Sequence, residues 1–234
     1  TKPDDSPILD TKKSIEILRK FLKKHHLGHW KIKILDDSVA DIQISKKGNI
    51  LVKKGVSFRK NRLKALLAHE IGTHVFRLEN GKRQPLRLLE QGTAGYLRTE
   101  EGLAIWNQNQ LNLNLGDKYL TPAYLIVAIY MAGKMAFHDL FQYLKNTFEI
   151  SDDLAWKLCV KAKRGLKNTE TKTAFTKDLI YFAGNRDIEK FCKKGGCIND
   201  LYVGKIDITH LKFISEIQGL QPPRFVLEST SKGG

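Results

Sequence analysis

Ala68-His69-Glu70-Ile71-Gly72-Thr73-His74 sets two imidazoles on either side of a carboxylate. Imidazole nitrogens bind divalent transition metals, and a carboxylate beside them can work on the metal's water, which is the arrangement of a metallohydrolase helix. His69 and His74 are therefore the expected ligands and Glu70 the expected general base. The spacing departs from the usual one. At about 100° per residue, histidines at i and i+4 lie about 40° apart on a helix, whereas i and i+5 lie about 140° apart and cannot share an ion. A π-type turn, which closes i to i+5, repairs this, and such bulges favour functional sites. Gly72 weakens the helix where it must deform. The spacing thus predicts one widened turn.

Catalytic zinc takes three protein ligands and keeps one position open. Thr99-Glu100-Glu101-Gly102-Leu103-Ala104 offers carboxylates at the start of a second helix. Glu100 and Glu101 point to different helix faces, so one of the two completes the set. A lone histidine is usually an ordinary core or surface residue, and a carboxylate near a helix start often only complements the dipole. With seven histidines in 234 residues, it is the combination that points to a metal.

The elements that must hold these residues can be read from periodicity. Residues 11–27 form an amphipathic helix, with Ile15, Leu18, Phe21 and Leu22 on one face, Asp10 as N-cap and Gly28 after its end. The pattern then alternates at 31–35, 40–44 and 50–52, giving three short strands with a hairpin turn at Lys46-Lys47-Gly48-Asn49. A helix beginning near 58–61 carries Leu63, Leu66, Leu67 and Ala68 into His69. Residues 80–98 read as a loop broken by Gly81, Pro85, Gly92 and Gly95, and the second helix runs from about Thr99 through Trp106. Beyond Gly116 the chain is mainly helical, at 121–148, 152–165, 176–184 and 207–218. The expected class is α+β: a small N-terminal sheet with the active-site helix, then a helical half. No linker or repeat is visible, so residues 1–220 read as one catalytic domain and 221–234 as a flexible tail.

Composition narrows the possibilities. Hydrophobic residues make up 41% and charged residues 28%, as in ordinary globular proteins. The longest apolar run, Tyr124–Ala132, falls short of the ~20 residues of a membrane span, so no membrane is expected. No segment has the basic start, apolar core and cleavage site of a secretory signal. Three cysteines, Cys159, Cys192 and Cys197, do not make a disulfide framework, and Cys192 and Cys197 have no second pair with which to hold a metal. A cytoplasmic protein is expected. The formal charge of +15 favours an anionic partner, yet the basic residues are scattered and not interleaved with aromatics, which argues against nucleic acid.

The two motifs, followed by Lys163-Arg164-Gly165-Leu166 and then Phe175-Thr176-Lys177-Asp178-Leu179-Ile180-Tyr181 and Gly184, resemble the microtubule-associated tyrosine carboxypeptidases (MATCAP) and bacterial relatives named for a QEGLA motif. That family has the same five-residue histidine spacing, and the likeness runs in order over about residues 58–185. It implies a zincin-like metallopeptidase with one zinc ion on His69, His74 and Glu101, the glutamate directly before Gly-Leu-Ala. Glu100 is glutamine in the bacterial motif. The resemblance also implies removal of the last residue, tyrosine or glutamate, from acidic C-terminal tails. The 77–98 stretch looks shorter than in the animal tubulin enzymes, so tubulin docking is not implied, and little helical sequence precedes Lys31. A carboxypeptidase must pair the substrate's terminal carboxylate, for which a forked guanidinium is well suited. Arg164, Lys177, Tyr181 and Arg77 are the candidates. An endopeptidase with the same metal chemistry is the rival reading, and a catalytically dead basic binding module is the second.

Overall fold

The computed structural model describes residues 2–36, 40–45, 48–116 and 120–227. It is α+β, with little sheet and much helix. Two compact units are present where one domain is expected: residues 3–115 with 184 onward, and residues 116–183. Each has its own apolar core, and the second boundary falls inside a helix, so no Pro- or Gly-rich linker marks it.

In the larger unit, β1 (Ile8–Leu9) leads into α1 (Thr11–Lys24), whose N-cap Asp10 accepts from Lys13 N–H as expected. Strands β2 (Lys31–Leu35), β3 (Ile42–Ile44) and β4 (Asn49–Lys53) form a sheet of order β2-β4-β3, parallel between β2 and β4 and antiparallel between β3 and β4. Lys46 and Lys47 of the expected hairpin turn lie outside the described residues. Strand β5 (Phe58–Arg59) pairs with β1 and hands the chain to α2 (Lys60–Leu66). A π-helix, Leu67–Val75, follows, then α3 (Phe76–Lys82). The segment read as a loop at 80–98 is partly helical: α3 runs on to Lys82, α4 (Leu88–Gln91) is one turn, and α5 (Tyr96–Gln110) starts three residues early. Gly92 and Gly95, both at positive φ, turn the chain between α4 and α5.

One core unites the sheet and the helices. Leu18, Leu22, Ile50, Val52, Leu63, Ile71, Val75, Phe76, Leu103 and Tyr202 are buried together. The π-helix thus turns Ile71 and Val75 into the apolar interior. Burying one such side chain contributes roughly 1.5–3 kcal/mol, enough to anchor a strained helix.

The smaller unit packs α6 (Thr121–Ala132), α7 (Phe137–Phe148) and α8 (Asp152–Ala162) around Ala128, Ile129, Leu140, Leu144, Leu158 and Cys159. The single helix expected over 121–148 is broken by Gly133–Ala136. Lys163 is buried, and its ammonium donates to the carbonyls of Ala132, Met135, Thr171 and Thr173 at 2.8, 2.7, 2.6 and 3.1 Å. It ties that break to the loop after α8.

Helix α9 (Leu179–Lys193) begins in the smaller unit and continues in the larger. Its Gly184 meets Gly102 of α5 so closely that a Cβ on either would run into backbone. The glycine of Glu-Gly-Leu-Ala is therefore a packing requirement. Short 3₁₀ turns at Ile198–Tyr202 and Ile208–His210 precede α10 (Leu211–Ile214). The segment expected to fray is held as far as it is described. Asn80 Oδ1 accepts from the N–H groups of Arg224 and Phe225, and Asn80 Nδ2 donates to Phe225 O. No helix among the described residues is long and apolar enough to cross a membrane.

Candidate metal centre

The widened turn predicted from the histidine spacing is present. The π-helix spans Leu67–Val75, and the Phe76 N–H reaches Ile71 O, five residues back. His69 and His74 consequently come together edge to face, with ring centroids 5.1 Å apart. Glu101, on the second turn of α5, brings Oε2 to 3.7 Å from Nε2 of both His69 and His74. These three residues are the cluster of potential metal donors among the described residues. Their side chains keep 12–15% of their surface exposed, which leaves a path for solvent or a ligand.

Whether the donors suit a metal can be tested on Glu101. Its Oε2 is buried and has no hydrogen-bond partner among the described residues. A buried carboxylate oxygen left unpaired is costly, so something with positive charge belongs beside it. Around a tetrahedral ion with bonds of about 2.1 Å, donor atoms lie about 3.4 Å apart. The carboxylate's two 3.7 Å separations need only a small contraction, and all three donor atoms lie within 4.8 Å of one another. The set fits.

Glu100 does different work. Its Oε1 lies 2.9 Å from His74 Nδ1 and its Oε2 accepts from Arg77 Nη1 at 3.1 Å. A carboxylate on Nδ1 holds the tautomer whose Nε2 carries the lone pair, the way metal-bound histidines are commonly oriented. Burial disfavours the His74 cation, but the hydrogen bond and charge of Glu100, with Glu101 and Glu70 beside it, push the imidazole up to about 9. Burial also opposes ionisation of Glu100, yet His74, Arg77 and Lys205 hold its carboxyl below the usual range.

Arg77 is where sequence reasoning fails. It is fully buried and its guanidinium is committed: Nε donates to Leu201 O and Gly204 O at 2.9 and 3.0 Å, Nη2 to Ile206 O at 2.7 Å, and Nη1 to Glu100. It anchors Glu100 and so His74, and does not meet a substrate carboxylate. Position one turn beyond His74 signalled nearness to the site. The carbonyl cage, over 120 residues further on, left no local trace.

Glu70 is half-buried on the π-helix, near enough for its charge to act on His74 and Arg62. Arg164, Lys177 and Tyr181 lie in the smaller unit. There Arg164 donates to Asp178 at 3.0 Å and stacks over Phe175, Lys177 is exposed and Tyr181 half-buried. Cys159, Cys192 and Cys197 are all free thiols.

The family model described as microtubule-associated tyrosine carboxypeptidase matches residues 1–233. Microtubule-associated tyrosine carboxypeptidase 1 of Homo sapiens is 32% identical over 175 residues, 72% of this chain and 36% of that protein. The Rattus norvegicus protein of the same name is 31% identical over 175 residues, 72% of this chain and 37% of its own length. Putative tyrosine carboxypeptidase MATCAP2 of Mus musculus is 31% identical over 176 residues, 72% and 33%. The matched stretch thus spans about a third of these relatives. With the model covering nearly every residue, the chain belongs to the microtubule-associated tyrosine carboxypeptidase (MATCAP) family.

Proposed function

We propose that the chain is a zinc-dependent metallocarboxypeptidase of zincin-like design that removes the last residue, tyrosine or glutamate, from acidic C-terminal tails. The observation that carries the metal part is the Glu101 Oε2, without a hydrogen-bond partner among the described residues and 3.7 Å from each of two imidazole nitrogens. The names of the relatives support the carboxypeptidase part. His69, His74 and Glu101 would hold the ion, which when bound supplies a Lewis acid that lowers the pKa of water from 15.7 to about 7 and polarises the scissile carbonyl.

Glu70 takes the proton of the attacking water and returns it to the leaving amine nitrogen, as a general base and then acid. Glu100 holds His74 through Nδ1, and Arg77 holds Glu100. The net charge of +15 suits an acidic tail. Three free thiols suit a cytoplasmic site of action.

Two peptides of one acidic sequence, ending in Tyr as free acid or as amide, test the reading by mass spectrometry. The free acid should lose one residue and the amide none. Internal cleavage of both would establish an endopeptidase instead.

A further inference from the structure

A helix that passes from i→i−5 back to i→i−4 pairing leaves one carbonyl without a backbone donor, and a buried carbonyl needs one. Here the Phe76 N–H bonds Ile71 O and Thr73 O, passing over Gly72 O. A side chain from far along the chain fills the gap: the Tyr202 hydroxyl donates to Gly72 O at 2.9 Å. Asn107 Nδ2 donates to the Tyr202 hydroxyl oxygen at 2.8 Å and to Thr73 Oγ1 at 2.7 Å. Thr73 Oγ1 in turn donates to Ala68 O at 3.0 Å, again five residues back.

The protons balance. The two amide hydrogens of Asn107 go to two hydroxyl oxygens, and each hydroxyl passes its own hydrogen to a carbonyl of the widened turn. All three residues are buried. Burial pushes the Tyr202 phenol up to about 12, against its hydrogen bonds, so it remains a donor across the working pH range. The gripped carbonyls sit where they matter, one directly before His69 and the other two residues before His74. Asn107 also shares helix α5 with Glu101, so one rigid element supplies the third metal donor and the hub of the network.

We propose that Tyr202, Asn107 and Thr73 form a polar clamp that holds the turn open, and are positioning residues for the metal centre acting through the backbone between His69 and His74. The inference rests on the metal reading above. Without the clamp, the helix gains by returning to regular pairing, which carries the imidazoles to about 140° apart around its axis.

The test titrates the metal-free native chain and Tyr202→Phe with Zn(II) and Co(II) against a chromophoric chelator, with thermal unfolding of the metal-free forms alongside. Tyr202→Phe should bind both ions about 10–100-fold more weakly, the range seen when supports behind metal ligands are removed. Its Co(II) form should lose visible absorption intensity as tetrahedral geometry relaxes, while its metal-free unfolding midpoint stays within a few degrees of native. Affinity within about twofold of native, in a folded Tyr202→Phe, overturns the clamp. Should that variant fail to fold, Thr73→Val is read in the same way, with Thr73→Ser as the rescue that keeps the hydroxyl. Ser binding as weakly as Val would also overturn it. A native chain that takes up neither ion removes the metal reading and the clamp together, whereas native binding beside an unimpaired Tyr202→Phe removes the clamp alone.

Discussion

Glu100 and Glu101 are adjacent in sequence and opposite in circumstance. Glu101 Oε2 lies beside two imidazole nitrogens with no hydrogen-bond partner among the described residues, whereas both oxygens of Glu100 are engaged by His74 and Arg77. Glu100→Ala should therefore retain a metal site weakened about 10–100-fold, because it removes a support and not a ligand. Chelator competition reads this directly, and complete loss of metal in that variant would exchange the two roles. Glu70→Gln keeps the shape of the side chain and removes the base. Turnover should fall by at least about 10²-fold with metal content unchanged, and near-native turnover would refute the role. Arg77→Ala leaves a buried carboxylate without its guanidinium and three carbonyls without donors. Chemical denaturation should register a loss of about 3–5 kcal/mol; a loss below about 1 kcal/mol would mean that Arg77 is not the anchor.

At the scale of elements, the widened turn was legible because geometry left no alternative: two histidines five apart can share an ion only if the helix opens. The third donor was legible as one of two carboxylates on a following helix. What closes the site from behind was not. Arg77 reads as a candidate for the substrate carboxylate, and nothing local marks Asn107 or Tyr202, because the partners that fix their roles lie 34–130 residues away in sequence. The break at Gly133 and the seat of Arg224 and Phe225 on Asn80 were hidden for the same reason, since side-chain pairing with distant backbone has no periodicity. The crossing of α5 and α9 is another nonlocal demand, placed on Gly102 and Gly184 together. Adding a methyl at either should destabilise by about 1–3 kcal/mol or more, seen as a lower denaturation midpoint. An unchanged midpoint in Gly102→Ala would show that the helices can part without cost.

For the molecule as a whole, two compact units and a charge of +15 set the expectations. Attraction between a basic chain and an acidic tail weakens as the Debye length shrinks from about 10 Å at 0.1 M salt to about 3 Å at 1 M. KM for an acidic peptide should rise on the order of 10-fold over that range, while a neutral peptide of equal length changes little. Equal salt dependence of the two would remove charge from substrate choice. All of this presupposes one ion on three side chains, and metal analysis of exhaustively dialysed native chain beside Glu101→Ala tests that supposition most directly. One zinc per native chain, and none or a small fraction of one in Glu101→Ala, is the expected result. A native chain without zinc, or equal zinc in both, contradicts the assignment.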